Sequence, residues 1–184
     1  MLDFVIPASR TELTEANSTT TRVWFRFFEG LYQYTRKGFG SFFDTTTQTV
    51  AANTPQAITF NSSGTTESIA LDAITSRIAV SRNGTYNVQV SVQVASTGAT
   101  DSVAVWIKVN GVNLASSLRL IAVPASPAQT VLSFNKFIDL VPRDYVEVFW
   151  LSVSGTSQFK FTAASASPLY PATPSVIVTL DQIV

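Results

Sequence analysis

The run from Gly84 to Val94, GTYNVQVSVQV, leaves the backbone one choice. From Tyr86 every second residue is large and apolar (Tyr86, Val88, Val90, Val92, Val94), with Asn87, Gln89, Ser91 and Gln93 between them. A period of two belongs to a β-strand with one face toward a core. Asn83-Gly84 just before it supplies the positive-φ positions of a tight turn. The same grammar recurs along the chain and predicts strands near 56–61, 67–71, 76–81, 85–96, 102–109, 113–121, 129–139, 145–153, 158–164 and 175–183. Turn signals fall between them at Ser62-Ser63-Gly64, Asn110-Gly111, Pro142-Arg143-Asp144 and Ser154-Gly155, among others. The connections are too short to carry crossover helices, which excludes parallel α/β folds. The expected fold is all-β, an antiparallel β-sandwich or jelly roll.

Ahead of the sandwich the composition changes. Residues 1–46 carry TTTRVWFRFFEGLYQYTRKGFGSFF, a density of aromatic residues unmatched later. Trp24, Phe27, Phe28, Leu31 and Tyr32 recur at steps of three and four, and the Asn17 to Thr21 run offers an N-cap. This predicts an N-terminal arm, then a short aromatic-rich helix closed by Gly38, with the sandwich domain spanning 47–184. Phe39, Phe42 and Phe43 extend the aromatic set beyond what one short helix needs for a core stripe, so the rings are expected to surround it. Two uses are open for them: a small second core, or anchorage to a larger assembly, since aromatic side chains dominate interface hot spots.

Composition removes most chemistry. The 184 residues include no Cys and no His, so thiolate nucleophiles, disulfides, the commonest general base and the commonest metal ligand are all missing. Asp139, Asp144 and Glu147 lie close in sequence, but Asp139 and Asp144 bracket a Pro-containing turn, where carboxylates bind backbone N–H groups. Asp72, Asp101 and Asp181 are too scattered for a calcium loop. No enzyme, metal or cofactor is expected. Twelve basic residues balance twelve acidic ones, which gives no field for nucleic acid or an anionic membrane. Arg22, Arg26, Arg36 and Lys37 interleave with rings, yet Glu12, Glu15 and Glu29 offset them, and nucleic-acid stacking is not expected. No window reaches the roughly 20 apolar residues of a membrane span, and MLDFVIPASRTELTE lacks the form of a secretory signal, so a soluble protein made in a cytoplasm is expected.

Charged residues make up only 13% of the chain, about half the usual share, which implies that part of the surface is covered. The segment Asp144 to Val153 is apolar on both faces: Tyr145, Phe149, Leu151 and Val153 on one, Val146, Val148 and Trp150 on the other. A two-layer sandwich covers one face. The other is covered either by the aromatic helix of the same chain or by further copies of the chain.

The order of four elements, ITF, the GTYNVQVSVQV strand, VAVWIKVNG (Val103–Gly111) and IDLVPRDYVEVFW (Ile138–Trp150), resembles the jelly roll of the complement-globular-head and tumour-necrosis-factor-like superfamily, over roughly residues 50 to 184. More particularly it resembles tailed-phage virion proteins that use this module, and WFRFFEGLYQY is similar to the Trp/Phe-rich leader found ahead of such modules. The resemblance implies a homotrimer and favours copies of the chain as the cover over Tyr145, Phe149 and Leu151, with Phe159 and Phe161 joining that trimer interface. It implies a structural protein of the virion, and the leading expectation is a capsid decoration or cement protein bound to the major capsid protein or another virion protein, with Trp24, Phe27, Phe28, Leu31 and Tyr32 as the attachment residues if the aromatic segment serves as an anchor. The alternative is a short tail-fibre or receptor-binding protein, whose loops Ser96–Thr100 and Ala122–Gln129 would contact host glycans.

Overall fold

The computed structural model describes residues 6–8, 10–14 and 19–184. Much of the expected arm, and Asn17 and Ser18 of the expected cap, lie outside the described residues. The chain divides into two compact units, residues 1–37 and 38–184.

In the first unit, α1 (Arg22–Thr35) is the helix that the three- and four-residue spacing predicts. Thr21 stands at its N-cap with extended backbone, but its hydroxyl donates to Glu12 O (2.9 Å) instead of capping the helix. Gly38 does not close the helix. Arg36, already extended, is the C-cap, and Gly38 is buried in the second unit, where its N–H donates to Gln182 Oε1 (2.8 Å) and its carbonyl accepts from Gln182 N.

The second unit holds β1 (Phe39–Asp44), β2 (Gln48–Thr49), β3 (Gln56–Ala57), β4 (Ser62–Glu67), β5 (Ile69–Leu71), β6 (Ile78–Val80), β7 (Gly84–Ser96), β8 (Asp101–Val109), β9 (Val112–Asn113), β10 (Arg119–Val123), β11 (Gln129–Leu140), β12 (Tyr145–Ser152), β13 (Ser157–Phe159), β14 (Ser165–Ala166), β15 (Leu169–Tyr170) and β16 (Val176–Gln182). One sheet runs β4-β1-β16-β7, with β11 along the other edge of β7 and β13, followed by β2, paired to β7 past the end of β16. The other runs β10-β8-β12-β6-β5, with β3 on β12 and β9 on β8. Every pairing is antiparallel. The alternating apolar set of β7 is wholly buried and faces Val103, Val105, Ile107, Val146, Val148 and Trp150 of the opposite sheet in one core.

β1 is the principal departure from the expected organisation. Phe39–Asp44 pairs with β16 and β4 inside the sheet, so the sandwich begins at Gly38 and not at residue 47. Its alternation is hidden because Gly40 occupies an inward position: a Cβ there would lie 2.9 Å from the Phe42 ring, which fills that space. Ser62-Ser63-Gly64 is likewise the start of edge strand β4 and not a turn.

The register of β7 gives the sandwich two distinct ends. Gly38, Gly84, Leu140 and Val184 meet at one, where a Cβ on Gly84 would run into Val184 O. At the other, three loops interlock: Thr97 N and Oγ1 both donate to Thr156 O, Thr156 Oγ1 donates to Ala99 O, and Ser126 N donates to Gly98 O.

Candidate assembly surfaces

Three surfaces could take a partner. The first is the arc of α1. At about 100° per residue, Tyr34, Phe27, Leu31, Trp24, Phe28, Tyr32 and Phe25 fall on one broad side, and Arg22, Arg26 and Glu29 on the other. The rings therefore do not surround the helix, since Phe39, Phe42 and Phe43 belong to β1. Trp24, Phe27 and Phe28 form a mutual cluster with ring centroids 5.6–5.7 Å apart. The Trp24 indole N–H donates to Thr11 O (3.0 Å), which holds part of the arm against the helix. Phe28, Leu31 and Tyr32 are exposed, as are Val23, Phe25 and Tyr34. At the C-terminal end the Arg36 guanidinium lies over the Tyr32 ring and the Lys37 ammonium over Tyr34.

The second is the outer face of the β12 sheet, where the sequence places a trimer interface. Its rings are already partnered within the chain. Lys108 Nζ sits 3.7 Å from the Phe149 ring centre, Arg77 lies over Tyr145 and pairs with Glu147 (3.5 Å), and the Trp106 N–H, beside Phe149, donates to Asn113. Leu151 and Phe161 are half-buried. Phe159 is not available at all: it is fully buried and stacks on Trp150 across the two sheets with ring centres 4.0 Å apart. It is core, because its strand pairs with β7 and turns the ring inward.

The third surface went unnoticed in the sequence. On the outer face of the β7 sheet, cross-strand rows read Asn135–Gln89–Thr179–Ser41 and Ser133–Ser91–Ile177–Phe43–Ser62, with Val131–Gln93 beyond. No charge lies in these rows. Amides and hydroxyls flank Phe43 and Ile177. The clue was present in the intervening residues of β7, all of them amides or a serine where a solvated strand would usually carry Lys or Glu.

The carboxylates singled out earlier serve the frame. Asp144 accepts from Asn110 Nδ2 (2.7 Å) and Val141 N (2.8 Å) across its turn, Asp139 accepts from Thr85 Oγ1, and Glu147 accepts from Ser76 Oγ. Asp101 takes the Ser152 hydroxyl together with the Ser102 and Ser154 amides. Burial pushes its carboxyl up, but the bonds from Ser152 and Ser154 outweigh that and hold it well below the usual range. Among the described residues no three of Asp and Glu gather where they could hold a metal ion, and no helix is long and apolar enough to cross a membrane.

No protein-family profile and no curated protein matches the chain. Solved structures do. Murine APRIL aligns over 80% of this chain and 100% of its own with a TM-score of 0.51 at 11% identity. Eiger TNF from S. frugiperda aligns over 81% of this chain and 94% of its own, with a TM-score of 0.50 at 13% identity. The sandwich has a tumour-necrosis-factor-like jelly-roll fold. The antiparallel sandwich expected from the strand pattern, and the jelly roll that the resemblance implied, are therefore the architecture observed. At these identities the likeness reaches the fold alone, and the role of the chain rests on its surfaces.

Proposed function

We propose that this chain is a non-enzymatic structural protein of a tailed-phage virion, a trimeric decoration or cement protein whose jelly rolls project while the N-terminal unit attaches them to the particle. The observation that carries this reading is the division of labour between the units. A rigid sandwich follows a small unit whose helix exposes Phe28, Leu31 and Tyr32 beside Trp24 and Phe27, the residue types that form interface hot spots. The phage assignment is supported by the similarity of the leader and of the four-element order to virion proteins.

For the trimer, the geometry favours the patch around Phe43 and Ile177 on the β7-sheet face over the Tyr145–Phe149–Leu151 face; the carboxylates Asp181 and Glu67 of that sheet face stand in the row through Phe39, at the rim of the patch. Burying the latter would strip water from Lys108 and Arg77, a cost of several kcal/mol per ion unless new partners appear. With Asp181 and Glu67 left in water at its rim, the former requires amide and hydroxyl hydrogen bonds to be remade. Loops at the interlocked end read STGATDS and VPASPAQ and lack the exposed aromatic with Asp or Asn that glycan binding uses, so a receptor-binding role has less support.

The test is immunogold labelling of intact virions of the encoding phage with antibody against the sandwich. Regular surface label is expected, and its loss after particles are grown with a chain beginning at Gly38. Unlabelled particles would overturn the virion reading. Full labelling with the shortened chain would overturn the role given to the N-terminal unit.

A further inference from the structure

We infer that the three α1 helices of one trimer pack on each other as a short stalk, which takes Trp24, Phe27, Phe28 and Leu31 out of the particle contact proposed above and leaves Phe25 and Tyr32, both exposed, to make it; this rests on the trimeric reading above. The 14 residues of α1 make two heptads. With Trp24 at a, Leu31 is the second a, Phe27 and Tyr34 are d, Phe28 and Thr35 are e, and Val23 and Gly30 are g. The helix has three charged residues, Arg22, Arg26 and Glu29, and all fall at c and f, farthest from such a seam. A pair of helices covers a and d only. Uncharged e and g positions need a third helix, and Gly30 at g lets a neighbouring ring come close.

Two details of the chain agree with burial of this seam. The Trp24 indole N–H is already bonded to Thr11 O, so its ring can enter a helix bundle without leaving a donor unpaired. Phe25 and Tyr32, both at b, lie off the seam yet are more than half exposed. They are left for a different partner. Two heptads are too short to associate alone, but only Arg36, Lys37 and Gly38 separate the helix from β1, so a trimeric sandwich would hold the three helices at high effective concentration.

The chain contains no Cys, which makes single-cysteine cross-linking unambiguous. The full chain, Leu31→Cys and Phe25→Cys are each weighed by light scattering and then mildly oxidised, and disulfide-linked dimer is followed on non-reducing gels. A trimer in which Leu31→Cys cross-links at least about tenfold faster than Phe25→Cys is expected, since a-position Cβ atoms come within disulfide reach of another copy and b-position ones do not. A trimer in which both positions link at similar rates, or neither links, overturns the stalk and leaves the trimer standing. A monomer overturns both.

Discussion

Phe159 shows how a residue can be read correctly as apolar and still be assigned to the wrong place. Its strand is three residues long, too short for its periodicity to say which way the ring faces; the facing is set by pairing with β7 and by the Trp150 ring across the core. Phe159→Ala should therefore cost about 3–5 kcal/mol of folding stability, measured by denaturant unfolding, with the oligomer changed only as far as the fold is lost. Asp101 was legible only as one of three carboxylates too scattered for a calcium loop, and not as the post to which Ser152 and Ser154 are tied, because those partners lie some fifty positions away. A carboxyl held below its ordinary value contributes stability that is fully present above the unfolded pKa, near 4, and disappears as pH falls through the folded value. Asp101→Asn should lower stability at pH 7 by about 1–3 kcal/mol and flatten the fall in stability below pH 4. A variant that unfolds with the same acid profile as the parent would remove Asp101 from that role.

Element by element, the long strands and the short β5 and β6 were plain from the chain, whereas β1, β2, β4, β14 and β15 were not. β7, β8, β11 and β12 carry enough alternation to be placed to within a residue or two. β1 escaped because glycine stands where an apolar side chain belongs, and β4 because an edge strand exposed on both faces has no reason to alternate. The consequence is measurable. A chain beginning at Gly38 should keep the β-sheet circular dichroism and cooperative melting of the sandwich. One beginning at Thr47 loses β1, exposes the inner partners of Phe42 and leaves β16 paired on the β7 side alone, and should be unfolded or aggregated. Similar melting of the two would show that β1 is a dispensable edge.

For the whole molecule, association should depend on the β7-sheet face. Phe43→Asp, which places a charge among Ser91, Ile177 and Ser62, is expected to give folded monomer by light scattering, whereas Lys108→Gln should leave the mass unchanged. The reverse pattern would return the interface to the Tyr145–Phe149 face. Neither surface was separable beforehand, since deciding between them needed the cations that fold back over the rings. The loops at one end of the sandwich differ among themselves in one more respect. At the interlocked end, Gly98, Ala99, Ser126 and Thr156 bind one another's backbone, so a new sequence in one of those loops must suit the other two. The β14–β15 hairpin pairs only with itself, and Leu169 stands almost wholly in solvent. Foreign peptides or lineage-specific insertions should therefore enter singly at Ser167-Pro168, whereas the neighbouring loops can be exchanged only as a matched set.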